Sequence, residues 1–490
     1  MRIVSRWLVL AGLLFEVVAA TPQPQGPADL VITHVRVIDA TGAGAVERSV
    51  VVRHGLIDAL LPASSRPPAA TVVDGTGKFL IPGLWDMHAH VAARPEPSLA
   101  ERVMLPLFLA HGVVGVRDMG GPLERVLALR ERINQGTLAG PRILTPGPFV
   151  DGPGDADPLF RRVQTAAEAR AAVRELATAG VDFVKVQANL SREAYDAVVA
   201  QARETRIPVA GHVPVAISAT DVVNAGQRSI EHISPALVGD AGLLFACSSR
   251  EADLRRELLS IEHDRTSAPA EIIRTREAAL RRQLVETYSA ERARALGALI
   301  RSHRSWIVPT LIWSTSFRPL SATDTSDAVP LDYVPAATRT RWRQAREGYL
   351  KAARPEDFEA NTTVARTAAT AVGALHKAGA HVLAGTDTFD YYVLPGVSLH
   401  QELALLVGAG LSTMEALQAA TRNAADYRGT LAKEGTIERG KRADLVLLDG
   451  NPLTDIHHTT AIRAVVIGGR LISREEIDRM LASVKDAARD

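Results

Sequence analysis

Eight short apolar stretches, several of them ending in a polar residue, alternate with alanine-rich segments across the middle of the chain. They are GLWDMHAH, VVGVRDMG, RILTPGPF, VDFVKVQA, VAGHVP, SIEHIS, WIVPTLIW and HVLAGTD, running from Gly83 to Asp387. The segments between them, such as TAAEARAAVRELATAG and SREAYDAVVAQARETR, read as helices. Strand alternating with helix implies parallel strands joined by crossovers, and eight such units predict an α/β fold, a (β/α)8 TIM barrel. On either side, DLVITHVRVID, SVVVRHGLIDAL and TVVDGTGKFLIPG, and later ADLVLLDGNP and AIRAVVIGGRLI, read as short strands between turns. These two ends are expected to pair in a small β-sandwich. The predicted boundaries are 29–80 and 436–473 for the two parts of the sandwich, 81–435 for the barrel and 474–490 for a C-terminal helix or tail.

Residues 1–20 have the pattern of a signal peptide, followed by a proline-bearing linker over 21–28. Arg2 and Arg6 start it, Trp7 to Phe15 form the apolar run, and Val18 and Ala20 supply small residues at a cleavage site. Glu16 interrupts the run, which is too short to cross a bilayer in comfort. An exported protein, periplasmic or secreted, is expected, with no stable membrane insertion after cleavage; an uncleaved anchor is the alternative. A net charge of +1 gives no electrostatic case for nucleic acid or an anionic membrane, which leaves a small-molecule substrate as the expected partner. A homo-oligomer stays open. Cys247 is the only cysteine, so any metal here is bound by nitrogen and oxygen rather than by a thiolate cluster.

The polar residues at the strand ends carry the functional reading. His88 and His90 are two apart on the first strand and so point the same way; they are either a solvated accident or two ligands of one metal. Lys185 on the fourth strand, His212 on the fifth, His232 on the sixth and Asp387 on the eighth all fall near the carboxyl ends, where barrel enzymes keep their chemistry. In DFVKVQ the alternation puts Lys185 opposite Val184 and Val186, and therefore inside the barrel. An ammonium about 4 Å from a divalent ion would be repelled by roughly 8 kcal/mol at an effective dielectric of about 20. Reaction with carbon dioxide would turn the lysine into a carbamate, an anion able to bridge two metals. A salt-bridged or snorkelling lysine is the bland alternative.

Together these residues resemble the amidohydrolase superfamily. LIPGLWDMHAH, VVGVRDMGG, GPRILTPGP, AGHVP, SIEHI, VLAGTD, LSTMEALQAATRNAA and GTIERGKRADLVLLDGNP are similar to its imidazolonepropionase-related group, which includes Xaa-Pro dipeptidases with a carbamylated lysine. The resemblance covers roughly Asp29 to Ser473. It implies that His88, His90 and Asp387 hold the more buried of two divalent ions, and His212 and His232 the more exposed one. N6-carboxylated Lys185 would bridge them together with a hydroxide, and zinc is the expected metal. It further implies that the hydroxide attacks the scissile carbonyl while Asp387 moves its proton to the leaving amine.

The expected activity is hydrolysis of an amide or peptide C–N bond in a dipeptide or N-acyl amino acid. The alternative is a lactone, carbamate or phosphotriester on the same site. A non-catalytic binding protein would have lost ligands, and this chain keeps all six. Imidazolonepropionases lack the bridging lysine, so Lys185 argues against that activity. The tyrosine that many dipeptidases of the group carry after the fifth-strand histidine is replaced here by Val213, Pro214 and Val215. Arg117 and His400 are candidates for binding a substrate carboxylate; the alternatives are an ion pair of Arg117 with Asp118 and a supporting role for His400. Two long connections, Cys247 to His303 with Leu280, Leu284 and Tyr288, and Ser314 to Val372 with Phe317, Tyr333, Trp342 and Tyr349, are expected to form a lid over the catalytic face. Covering the outside or an oligomer contact is the alternative.

Overall fold

The apolar runs form strands where β-branched residues are dense, and a computed structural model describes residues 27–93, 97–234, 242–316 and 329–489. The expected signal peptide, most of its linker and Phe317 lie outside the described residues. The parallel strands are β1 (Leu84–Ala89), β2 (Val113–Asp118), β3 (Arg142–Leu144), β4 (Val184–Val186), β5 (Val209–Gly211), β6 (Ser229–Glu231), β7 (Trp306–Val308) and β8 (His381–Val382). Strands β1 to β3 pair in one parallel sheet, and β4 to β8 pair in order in another. Every residue of β1 and β2 is buried, as in strands covered on both faces.

Hydrogen bonds link the two sheets at both edges. Met87 N–H donates to the Ala384 carbonyl (2.9 Å) and Asp387 N–H to that of His88 (2.7 Å), while Asp182 N–H reaches the Thr145 carbonyl (2.8 Å). Two further strands, Phe149–Asp151 and Phe160–Arg162, come from the connection after β3 and add to the β4 edge through Val150 and Val186. Several helices start where a hydroxyl side chain caps the first turn. Thr165 and Glu168 form a reciprocal capping box on Ala166–Thr178, and Ser191 and Ser218 accept from the third residue beyond them.

The strands of the two chain ends pair in one eight-stranded sheet, in which Phe79–Pro82 runs antiparallel to Leu445–Leu448. Leu30, Ile32, Val50, Leu80, Leu445 and Leu447 form its buried cluster. The closing helix, Arg474–Ala487, does not join that sheet's cluster; its Ile477 and Val484 pack into the large core around the parallel strands.

Among the described residues the two long connections are largely helical. The first builds Glu251–Asp264, Ala270–Glu286 and Ala290–Ser302. Its buried Arg255 donates to the carbonyls of Pro214 (2.7 Å), Val215 (2.6 Å) and Ile217, in the loop that leaves β5. The second contains Leu311–Ser316, Ala336–Ala352 and Pro355–Lys377. Its buried Trp342 packs on Phe389 and Tyr392, with ring centroids 5.4 and 5.2 Å apart, in the loop that leaves β8. Among the described residues no helix is long and apolar enough to cross a membrane.

Candidate metal centre

At the carboxyl end of β1, His88 and His90 meet Asp387, which follows β8. The Asp387 Oδ1 atom lies 3.1 Å from His90 Nε2 and 3.4 Å from His88 Nε2, and Oδ2 lies 3.9 Å from His232 Nε2. One ligand atom from each of His88, His90 and Asp387 falls within a 4.8 Å cluster. The His232 ring is 4.8 Å from that of His88 and 4.8 Å from that of His212, so the four imidazoles form a continuous row. Lys185 is 1% exposed, pairs in register with Ala210 on β5, and sets its Nζ 5.2 Å from the Phe149 ring. That Phe149 ring is itself 5.7 Å from the His90 ring, which puts the lysine end on the side of the imidazoles.

Backbone strain marks the same place. His232 and Asp387 have φ of +63° and +65°, in the left-handed region that costs a side-chain-bearing residue on the order of 1–3 kcal/mol. These turns end β6 and the β8 segment and swing both side chains inward. Asp86, two residues below His88, ties the two segments together. Its carboxylate accepts from Thr386 Oγ1 (2.7 Å), Thr386 N–H (3.1 Å) and His88 N–H (3.1 Å).

The hydrogen bonds behind the histidines decide which ring nitrogen is free. His90 Nδ1 is 3.1 Å from the Gly120 carbonyl, which can only accept. His232 Nδ1 is 2.7 Å from Thr310 Oγ1, whose own proton goes to the Pro309 carbonyl (2.8 Å). His88 Nδ1 donates to Glu231 Oε2 (2.9 Å). Each Nδ1 therefore carries the proton, and each Nε2 presents a lone pair toward Asp387. His88 Nε2 is buried without a hydrogen bond, an expensive state for a lone pair unless a cation takes it. Neutral imidazoles, a carboxylate and an orphaned nitrogen are the donor set of a nitrogen–oxygen site for a divalent ion.

Electrostatics favour neutral rings at His212 and His232. Burial, reinforced by neighbouring cationic groups, lowers His212 well below the ordinary imidazole value and brings His232 down to about 3. Burial alone would raise Asp387, but protonated His88, His90 and His232 would outweigh it and hold the carboxyl well below its usual range; with those rings neutral, a bound cation would take over that role. Imidazoles kept neutral in the fold bind protons only once the chain unfolds, so the metal-free protein loses stability as pH falls from about 6.5 toward 3. A thermal midpoint measured on chelated protein is expected to drop steadily across that window. A midpoint that stays level would contradict the buried, neutral state of these rings.

The two candidates for a substrate carboxylate are held by partners inside the protein. Arg117 is fully buried, and its guanidinium is spent: Nε on the Met87 carbonyl (2.6 Å), Nη1 on Ser229 Oγ (2.7 Å) and the Tyr427 hydroxyl (2.9 Å), Nη2 on both Glu231 oxygens (2.8 Å each). It braces Glu231 and does not pair with Asp118. That aspartate instead accepts from Val91 N–H and Thr145 Oγ1, each at 2.9 Å. His400 is buried with both nitrogens engaged, Nδ1 with Thr459 Oγ1 (2.9 Å) and Nε2 with the carbonyl of His111 (3.1 Å), which precedes the amino end of β2. Both side chains have their polar atoms engaged within the fold.

Glu231 is the residue that pattern reading missed. Strand alternation puts it opposite His232, but the left-handed turn at His232 lets both face the interior. Burial would raise its carboxyl; the Arg117 ion pair and the His88 hydrogen bond outweigh it and hold Glu231 at about 2. Glu402, buried on the helix Val397–Gly408, accepts the N–H groups of Leu311 (3.1 Å) and Ile312 (2.7 Å) and so anchors the segment bearing Thr310. Glu231→Gln is expected to weaken divalent-metal binding by about 10- to 100-fold, because the ring behind it loses its fixed tautomer. A chelator-competition titration reads that change, and an unaltered affinity would contradict the role.

The model of the amidohydrolase family matches residues 79–472. The chain belongs to the amidohydrolase family. Among solved structures, this amidohydrolase is similar to a bottromycin amidohydrolase, at 26% identity and a TM-score of 0.71, over 94% of this chain and 90% of that one. A Xaa-Pro dipeptidase with bound methionine shares the fold at 20% identity and a TM-score of 0.63, over 91% of this chain and 99% of that one. An ochratoxinase from A. niger does so at 19% and 0.61, over 91% and 96%. A curated relative, adenine deaminase 2 of Rhizobium etli, is 34% identical over 98 residues, which are 20% of this chain and 16% of that protein.

Proposed function

We propose that this amidohydrolase is a metal-dependent hydrolase that cleaves an amide or peptide C–N bond in a small substrate, a dipeptide or an N-acyl amino acid. In this reading the parallel strands close into one (β/α)8 barrel, the terminal sheet folds as a sandwich beside it, and the long connections shape the mouth. The observation that carries the reading is the row of Nδ1–H imidazoles whose Nε2 atoms converge on Asp387.

His88, His90 and Asp387 would hold one divalent ion, His212 and His232 the other, with N6-carboxylated Lys185 between them. When bound, zinc supplies Lewis acidity, polarising a carbonyl and making water a competent nucleophile near neutral pH. The chain's own residues do the rest. Asp387, as the carboxylate, accepts the proton of the attacking water. The water oxygen bonds to the carbonyl carbon, the C–N bond breaks, and Asp387 returns the proton to the departing nitrogen. Glu231 and Thr310 keep two of the imidazoles from turning.

A panel of dipeptides and N-acyl amino acids, run beside lactones and phosphotriesters with metal content measured on the same sample, tests this. Release of amine from members of the first group supports the reading. Turnover confined to the second would replace it with the ester or phosphoester alternative. An exported location, as the first twenty residues suggest, is part of the proposal and is tested by fractionation of the producing cell.

A further inference from the structure

Strand β4 and the two added strands run parallel and in register, so their side chains stack in layers. Val186 pairs with Val150, and Val150 with Arg161; the residues on either side of these point to the opposite face. The first layer on that face holds Lys185, Phe149 and Phe160. Lys185 Nζ is 5.2 Å from the Phe149 ring, which is 5.1 Å from the Phe160 ring and 5.7 Å from the ring of His90. Asp151 and Arg162 pair in the next layer, roughly 7 Å farther toward the carboxyl ends. Gln187 joins them, because its N–H donates to the Val150 carbonyl (3.0 Å) and carries the register one residue past β4.

This second layer is polar and incomplete. Asp151 is buried and accepts from Asn189 N–H (2.8 Å), Asn189 Nδ2 (3.1 Å) and Arg162 Nη1 (2.9 Å). Arg162 Cζ lies 4.0 Å from the centre of the Phe160 ring, and a Cβ on Gly154 would fall 2.7 Å from that same carbon. Its Nε reaches the Asp155 carbonyl (3.4 Å) and Nη1 also that of Gly152 (3.3 Å). Nη2 makes no hydrogen bond among the described residues, and the side chain is 24% exposed. Beside it, Gln187 Oε1 is buried without a partner. A guanidinium fixed by a ring, a carboxylate and two carbonyls, with one edge open to solvent, is preorganised for a carboxylate.

We infer that Arg162 binds a carboxylate of the substrate and so restricts hydrolysis to amide bonds beside a free acid group. This deepens the hydrolase reading given above and rests on it. Arg117 and His400 have no donor left for that task, whereas Arg162 has Nη2. The step between layers suits an α-carboxylate three bonds from the scissile carbonyl carbon, with one contact distance added at each end.

The test uses matched pairs, each acid against its own carboxamide: N-acetyl-L-alanine, N-acetyl-L-phenylalanine, glycyl-L-leucine and L-alanyl-L-proline. Release of the acyl portion is followed on the metal-loaded full chain and on Arg162→Ala and Arg162→Gln, the second of which keeps a donor for Asp151. The acid-to-amide ratio of kcat/KM within one sample does not depend on the folded fraction. It is expected to be about tenfold or more in the wild type and to fall within about threefold in both variants. N-acetyl-L-phenylalanine and its carboxamide are also titrated calorimetrically into the chelated full chain, where the acid is expected to bind more tightly and to lose that advantage in Arg162→Gln. Equal rates for acid and amide, or a preference that survives both variants, would overturn the inference while leaving the hydrolase reading standing. Acid-selective binding that depends on Arg162, with no compound cleaved, would support the carboxylate site and overturn the hydrolase reading. Neither cleavage nor selective binding would overturn both.

Discussion

Asp387→Asn is expected to lower kcat for amide hydrolysis by about a thousandfold or more, while bound metal stays close to the wild-type level. The carboxylate lies within 3.1 to 3.9 Å of three imidazole Nε2 atoms, where a bound cation would keep it ionised despite its burial. Asparagine keeps an oxygen in the same place and so can still act as a ligand. It cannot accept the proton of the attacking water, and no other carboxylate among the described residues lies in the 4.8 Å cluster with His88 and His90. Turnover and metal content measured on one preparation separate the two roles. Normal turnover in the variant would remove the proton-transfer assignment.

Lys185→Ala is expected to lose both metal and activity, with partial recovery when short carboxylic acids are added. The side chain is almost fully buried, pairs across β4 and β5 with Ala210, and sets its Nζ against the Phe149 ring that lies edge-on to His90. A permanent ammonium there would oppose cation binding by several kcal/mol, whereas a carbamate would contribute a bridging anion. Acetate or propionate can occupy the space left by alanine and offer the same two oxygens. Full metal content in Lys185→Ala without added acid would show that no bridge from residue 185 is needed.

Much of the molecule could be read from spacing because a polar residue inside an apolar run is costly and therefore conspicuous. His88, His90, Lys185, His212, His232 and Asp387 all stand out in this way, and the structure brings them to the same end of the parallel strands. Their supports were hidden by backbone geometry. Glu231 joins the interior only because His232 adopts φ of +63°, which a strict two-residue alternation does not anticipate. Arg117 looked available to a substrate, since nothing in VVGVRDMG reveals that Ser229, Glu231 and Tyr427 converge on its guanidinium from 112, 114 and 310 residues away. His400 carried no local sign of its distance from the mouth. The two added strands, Phe149–Asp151 and Phe160–Arg162, are three residues each, too short to leave a periodic signature. The pairing of Phe79–Pro82 with Leu445–Leu448 is legible as a pattern of strands at both ends, but its register depends on contacts across more than three hundred residues.

The decisive measurement is the metal content of the full chain purified with zinc and bicarbonate, read together with the carbamate carbon signal of protein equilibrated with 13C-bicarbonate. About two zinc ions per chain, with a carbamate resonance that disappears in Lys185→Ala, is the predicted result. Zinc near zero, or full loading with no carbamate signal, would contradict it.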